Sequence, residues 1–317
     1  MDVTVPSLAK INLDLRVLFK RNDGYHELRS LFQTISLKDA ITIQFESARR
    51  SELSLDSSVE IADNLVLRAA RLISEELNIK ARIRFRLRKK IPMGAGLGGG
   101  SSNAAAVLIA VAALSGKRVP IGRLIGLAEK LGSDVPFFLL GGTAVAIGRG
   151  TELYPLADQP RRHVLVISTG VHVSTATAYG QLARQTIPSS VTSTLTSPVE
   201  FPILREFQTI TWTLDRSDFR QFPFANDFEK PVFETHRQLP AVVRKLRRAG
   251  AMPVRMTGSG SAVFGIFETA AQAKAAAQSF PPGNIFLSRF VDRGMYRRLW
   301  TKALGSAAGA SCFANSD

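Results

Sequence analysis

Apolar and polar positions along this chain change period several times, and those changes mark out its elements. Residues 3–19 alternate and are rich in Val, Leu and Ile, then reach the turn text Arg21-Asn22-Asp23-Gly24, which predicts a strand pair. Residues 31–45 continue in the same style, with a further turn predicted at Lys38-Asp39. From Asn64 to Leu77, the positions Leu65, Ala69, Leu72, Ile73 and Leu77 form one helical stripe. Arg82-Ile83-Arg84-Phe85-Arg86-Leu87-Arg88 returns to strict alternation, the pattern of a half-buried strand. A glycine-rich loop over 92–100 feeds a helix predicted from Ser101 to about Leu114, and a second helix, Ile121 to Leu131, stops at Gly132. Strand text returns over 137–148.

Leu156 to Arg162, with mixed charge and Pro160, reads as a connector. Beyond it the pattern predicts a strand over 163–168, a helix starting at Ala176, and a Ser-, Thr- and Pro-rich loop over 185–203. Helical text runs from Phe228 to Arg248. A strand, a glycine turn at Gly258-Ser259-Gly260 and another strand to Phe267 follow, then an alanine-rich helix over 269–279. No internal repeat is visible. Strands in antiparallel style with interspersed helices indicate an α+β fold rather than a regular βαβ array.

Composition narrows the class. The longest apolar run, Ala104 to Leu114, is too short to span a bilayer and reads as a buried helix. The first residues show neither a basic segment before an apolar stretch nor a Ser- and Arg-rich leader, so a cytoplasmic location is expected. The single cysteine, Cys312, suits a reducing compartment and lies in a small, polar tail, 301–317, expected to fray. His163, His172 and His236 show no metal-ligand spacing and read as structural. Lys and Arg outnumber Asp and Glu by 41 to 26, a net charge of +15. The densest basic run is the alternating strand 82–88, whose arginines read as a solvated face. The cluster Arg244, Lys245, Arg247 and Arg248 ends a helix, where cations oppose the helix dipole favourably. Neither calls for a nucleic-acid partner.

The chemistry concentrates in Pro92-Met93-Gly94-Ala95-Gly96-Leu97-Gly98-Gly99-Gly100-Ser101-Ser102. Glycines at 94, 96, 98, 99 and 100 let the backbone curl around a ligand without Cβ obstruction. Ser101 or Ser102 is a good N-cap for the helix behind. A loop that feeds a helix N-terminus presents N–H donors to a phosphate. Gly94, Gly96 and Gly99 match G-x-G-x-x-G, but a dinucleotide fold wants an acid about 20 residues on, and none stands between Gly94 and Glu129. The P-loop lysine is also missing, with Gly100 in its place. Protein-kinase signatures are absent too.

This loop resembles the ATP loop of the GHMP kinases, the superfamily of galactokinase, homoserine kinase and mevalonate kinase. Ser7-Leu8-Ala9-Lys10-Ile11-Asn12-Leu13 resembles their N-terminal motif. Arg255-Met256-Thr257-Gly258-Ser259-Gly260-Ser261-Ala262-Val263-Phe264 resembles their C-terminal glycine motif. Four further segments are similar to the branch whose acceptor is a cytidine diphosphate-linked polyol: Arg21 to Leu28, Asp63-Asn64-Leu65, Leu131 to Phe138, and Asn226-Asp227-Phe228-Glu229. The resemblance implies a two-domain GHMP-kinase fold, with an N-terminal domain over 1–155 and a C-terminal one over 163–300.

By the same resemblance, Asp134 is the catalytic carboxylate that takes the proton of the attacking 2-hydroxyl, and Lys10 its cationic partner within salt-bridge reach. ATP is held by Pro92, Met93, Gly94, Ala95, Gly96, Leu97, Gly98, Gly99, Gly100, Ser101 and Ser102, with Asn64 at the adenosine. Tyr25 and His26 take the cytosine ring, Tyr179 closes over it, and Asn12 sits at the polyol end. Gly258 and Gly260 close over substrate phosphates through backbone N–H groups. Asn226 and Asp227 carry no catalytic assignment and suit a helix N-cap. ATP is expected as its Mg²⁺ complex. Ser102 is the candidate side chain for the metal, and the glutamate that other members place there has no counterpart. Partners are small molecules only, with no membrane and no nucleic acid, in a monomer or homodimer.

Overall fold

The computed structural model describes residues 2–171, 173–185 and 222–305, together with 208, 210, 211, 214 and 219. His172, Cys312 and the segment 186–203 lie outside the described residues, as does the tail beyond 305.

Two sheets lie face to face with helices outside both. The larger is built on a long antiparallel pair, β1 (Asp2–Lys20) and β2 (His26–Ser47). The other edge of β2 pairs at one end with β4 (Ala81–Arg88), and at the other with β5 (Thr143–Gly148). β3 (Glu52–Ser57) adds in parallel beyond β4, and β6 (Glu152–Pro155) beyond β5. The smaller sheet is antiparallel in the order β10 (Ile285–Arg289), β7 (His163–Ile167), β9 (Val263–Phe267), β8 (Val254–Met256).

Register slips decide which side chains face which layer. Val3 and Val5 face the outer helices, whereas Ala9, Ile11 and Leu13 face the small sheet. The switch occurs at the irregularity between Leu8 and Ala9, where β2 carries two extra residues; a second slip lies between Asn12 and Asp14. Bulges of this kind re-aim side chains. Between the two slips, Lys10 and Asn12 share the face opposite Ala9 and Ile11. Lys38-Asp39, expected at a turn, instead lies within unbroken β2. Asp39 is fully buried there, its carboxylate accepting the backbone N–H groups of Lys90 and Ile91.

The first core packs α1 (Leu65–Glu76), α2 (Gly99–Leu114) and α3 (Ile121–Leu131) on the large sheet. The strand expected over 137–148 splits into a short helix, Phe137–Leu140, and β5, with Gly141 and Gly142 at positive φ between them. The helical text over 228–248 breaks into Glu229–Thr235 and Gln238–Arg248. Pro240, in the first turn of the second helix, has no N–H to continue the first. The Arg82–Arg88 strand is as its alternation indicates: Ile83, Phe85 and Leu87 enter the core, while Arg82, Arg86 and Arg88 face Glu46, Glu52 and Asp56.

β3, β6, β10 and the last helix, Arg293–Leu304, have no counterpart in the sequence pattern. That helix starts on an Asp292 cap and buries Tyr296, Trp300 and Leu304 in the first core. The chain thus returns to the first core: residues 301–304, expected in the tail, continue this helix, with Leu304 buried and Thr301 and Lys302 exposed.

Candidate active site

The free edge of β1 is where the site is assembled. Lys10 donates its backbone N–H to the carbonyl of Leu97, which lays the glycine loop along the strand. Farther on, Leu15 donates to Ala225 and accepts from Asp227. Pairing on both sides buries the middle of β1 completely and fixes the direction of its side chains.

The loop needs glycine at particular positions. Gly96 has φ +77°, and a Cβ there would lie 2.0 Å from the carbonyl oxygen of Thr257. Gly98, at φ +70°, would drive a Cβ into the ring of Phe138 and the stem of Lys10. Gly98 is itself the N-cap of α2, and no side chain caps the helix. Ser101 and Ser102, expected as caps, lie inside the first turn. The uncapped turn leaves N–H donors and the positive dipole end for an anion.

Two cavities meet at this loop. One, about 350 Å³, is lined by Asn64, Leu65, Lys89 and the whole stretch from Pro92 to Ser101. The other, about 850 Å³, holds Lys10, Asn12, Tyr25, His26, Asp134, Arg149, Tyr179 and the turn Gly258 to Gly260. Gly94, Gly96 and Gly98 line both, so the loop is their common wall. Asn64 caps α1 through its Oδ1, which accepts from Val66 at 3.0 Å, while its Nδ2 is buried without a partner. Ser102 does not line the smaller cavity. Its hydroxyl accepts from Ser7 at 2.8 Å, at one end of a buried network through Asn103 and Asp39 to Lys89.

In the larger cavity Lys10 Nζ stands 3.2 Å from Asp134 Oδ2. The lysine side chain is 4% exposed, and its ammonium also sits 4.9 Å from the centre of the Phe32 ring. Asp134, 35% exposed, is carried on the turn between α3 and the helix Phe137–Leu140, which the buried Val135, Phe137 and Phe138 anchor. The two groups therefore face each other from opposite elements, one buried and one open to the cavity.

Asn12 is engaged more heavily than its sequence context suggests. Its Oδ1 accepts from Lys10 Nζ at 2.7 Å and from the Gly258 N–H at 2.9 Å, with the Thr257 hydroxyl 3.1 Å away. Its Nδ2 donates to Ser30. The N–H of Gly258 is thus taken by Asn12, and that of Gly260 by the carbonyl of Thr257. These two N–H groups, expected to close over substrate phosphates, are already bonded, one to β1 and one within the turn.

The Asn226-Asp227-Phe228-Glu229 segment, without a role in the sequence, holds this turn from below. Asn226 Nδ2 donates to the carbonyls of Met256 and Gly258, and Glu229 accepts the Met256 N–H. Burial keeps the Glu229 carboxyl above the usual carboxylate range. Asp227 accepts from Arg16 and from the N–H of Val17, tying the segment to β1. The family resemblance picks this segment out but gives it no role, because its partners lie about 30 and 210 positions away.

An aromatic corner closes the far end. His26 and Tyr179 stack with ring centres 4.9 Å apart, and Phe228 meets Tyr179 edge-on at 4.8 Å. Tyr25 is half exposed, with the Arg149 guanidinium 3.6 Å over its ring. Burial, then Lys20, pushes His26 below the usual imidazole value. Burial, then the charge of Asp134, pushes the Tyr179 phenol up to about 12. The stacked His26 and Tyr179 rings are therefore uncharged near pH 7, and Arg149 is the charged group of the corner. Among the described residues no group of three His, Cys, Asp or Glu side chains could hold a metal ion, and no helix is long and apolar enough to cross a membrane.

Comparison with known proteins agrees with this geometry. Residues 64–142 match the GHMP kinases N terminal domain, and residues 214–282 the GHMP kinases C terminal family. A 4-diphosphocytidyl-2-C-methyl-D-erythritol kinase of Solibacter usitatus (strain Ellin6076) is 47% identical over 298 residues, covering 94% of this chain and 92% of that one. One from Synechococcus sp. (strain JA-3-3Ab) is 38% identical, covering 92% and 95%. The crystal structure of a 4-(cytidine 5'-diphospho)-2C-methyl-D-erythritol kinase superimposes with a TM-score of 0.74 at 36% identity, covering 90% of this chain and 98% of that one.

Proposed function

The chain belongs to the GHMP kinases, and within them to the 4-diphosphocytidyl-2-C-methyl-D-erythritol kinases, and we propose that its two cavities bring ATP and the acceptor alcohol together at Lys10 and Asp134. The activity is ATP-dependent phosphorylation in the non-mevalonate isoprenoid pathway. The observation that carries the assignment of roles is the 3.2 Å pair of Lys10 and Asp134 beside a glycine wall common to both cavities.

The smaller cavity takes the nucleotide. Its phosphates lie on the loop from Gly94 to Ser101, against the uncapped N-terminus of α2. The unpartnered Asn64 amide is a donor for the adenosine end. The acceptor lies in the larger cavity with its cytosine on the corner of Tyr25, His26 and Tyr179. His26 and Tyr179 already touch face to face, so the base lies against the pair rather than between its members. Arg149, beside Tyr25, adds positive charge on the path of the acceptor diphosphate.

In the transfer, the acceptor 2-oxygen bonds to the γ-phosphorus, the bond from that phosphorus to the β,γ-bridging oxygen breaks, and ADP leaves. The hydroxyl proton passes to the Asp134 carboxylate. Lys10 keeps that carboxylate oriented and offsets charge on the transferring group, and Asn12 fixes Lys10. Little covalent chemistry falls to the protein; positioning and fixed charge supply the rate. The few hard oxygen donors beside the loop suit Mg²⁺ held mainly by ATP phosphates and water, with Ser101 the hydroxyl lining the nucleotide cavity. Bound there, the ion would neutralise phosphate charge during transfer.

The test is ADP release across a panel of alcohols, including the cytidine diphosphate conjugate of methylerythritol. Turnover confined to the conjugate supports the assignment. Equal turnover of mevalonate or homoserine would refute it.

A further inference from the structure

A third depression, sharing no lining residue with the two cavities above, gathers positive charge in its walls. It measures about 250 Å³, and among its walls are Ser36, Arg161, His163, Lys274, Ser288 and Arg289. No acidic side chain lines it. Arg289 of β10 and His163 of β7 are direct cross-strand partners, so their side chains share one face of the sheet. Lys274 reaches it from the helix Ala270–Ala277, and Arg161 from the connector. Arg162 is turned away, its guanidinium 4.7 Å from the Phe219 ring.

Arg161, Lys274 and Arg289 set three like charges around one depression, where they repel one another. Elsewhere on this surface the cost is offset: Arg82, Arg86 and Arg88 each meet a carboxylate. Among the described residues Arg161, Lys274 and Arg289 have no such partner. Glu268, just past the Phe267 that pairs with His163 on β9, does not line the depression. Two serines that also line the depression are prepared to donate. Ser288 Oγ accepts the Leu37 N–H, and Ser36 Oγ accepts the Arg289 N–H. The two oxygens stand 3.1 Å apart, so one hydroxyl proton joins the pair and the second is left for another acceptor.

We propose that this depression is a binding site for a small phosphate-bearing anion, held by Arg161, Lys274 and Arg289 with the Ser36–Ser288 pair beside them. Its volume admits a phosphate or diphosphate group and is small for a whole nucleotide. A bound anion supplies the countercharge that the lining lacks, and His163 reports its arrival. Burial and the charges of Arg161 and Arg289 hold that imidazole below its usual value, and an anion between them reverses the last two effects.

The experiment follows the His163 ring by NMR in the full chain, with its resonance assigned through His163→Gln and a non-hydrolysable ATP analogue saturating the nucleotide cavity. Inorganic phosphate and inorganic diphosphate are titrated separately, each against sodium chloride at equal ionic strength. The expected result is a saturable shift, a His163 pKa raised by roughly half to one unit, and at least about tenfold weaker binding in the Arg161→Ala/Lys274→Ala double variant. Saturation by phosphate alone, or by diphosphate alone, identifies which anion the site takes. A response that chloride reproduces, that never saturates, or that the double variant retains in full would overturn the proposal.

Discussion

The side-chain carbonyl of Asn12 accepts the backbone N–H of Gly258 at 2.9 Å, joining two residues 246 positions apart. The same oxygen accepts from Lys10 Nζ at 2.7 Å. One buried amide therefore fixes both the Lys10 ammonium beside Asp134 and the glycine turn that lines the larger cavity. An asparagine at this place acts as a joint between the two halves of the chain.

Replacing that joint separates positioning from simple binding. Asn12→Leu keeps the size but strands the Gly258 N–H and one donor of Lys10, and an unsatisfied buried group costs about 1–3 kcal/mol. Chemical denaturation should show a loss of that order. Steady-state assays should show kcat falling by at least about tenfold, with the KM for ATP little changed. A variant with normal kcat would mean that Asn12 does not orient Lys10.

Asn226 offers a sharper test of the turn. In Asn226→Asp the donor between the Met256 and Gly258 carbonyls becomes an oxygen, and attraction turns to repulsion. The acceptor KM should rise by about tenfold or more, from a disturbance on the order of 1–3 kcal/mol. The affinity for ATP, set on the other side of the loop, should stay close to that of the parent. Equal loss of both affinities would show general unfolding instead.

Gly96→Ala tests the contact between the two glycine segments. The added Cβ would meet the Thr257 carbonyl, and the positive φ adds strain of about 1–3 kcal/mol. Both substrates should bind more weakly, because the loop is the common wall. Gly116→Ala, also at positive φ but with nothing within 4 Å of its Cβ, should lower stability without touching either KM.

Acid pH should act through His26. Its folded pKa lies below 6.5, so the folded chain binds fewer protons than the unfolded one. Stability from this group is present above about 6.5 and is lost as pH falls toward the folded pKa. The acceptor KM should be flat from pH 8 to about 6.5 and climb below that, whereas His26→Asn should abolish the climb. An unchanged profile in that variant would remove His26 from base recognition.

The parts of this molecule legible in sequence are those whose cause is local. The alternation of Arg82 to Arg88, the glycines from Gly94 to Gly100 and the stop at Gly132 each reflect a backbone or burial requirement within a few residues. Lys38-Asp39 has the chemistry of a turn, yet the buried Asp39 carboxylate is held by backbone N–H groups of Lys90 and Ile91 that no window around it contains. Local rules favour Ser101 and Ser102 as caps, but leaving α2 uncapped is what suits an anion. Asn226 and Glu229 are legible only as a possible helix start, since their partners Met256 and Gly258 arrive through tertiary packing. The C-terminal helix is masked in the pattern because its buried face, Tyr296, Trp300 and Leu304, is interleaved with the basic Arg293, Arg297, Arg298 and Lys302.

The most direct measurement is single-turnover phosphoryl transfer by Asp134→Asn, with ATP binding followed on the same protein. Loss of the carboxylate removes the proton acceptor and leaves the glycine loop intact, so the rate should fall by about 10²–10⁴-fold while ATP affinity is preserved. Transfer within roughly tenfold of the parent rate would contradict Asp134 as the proton acceptor and Lys10 as the cation that orients it.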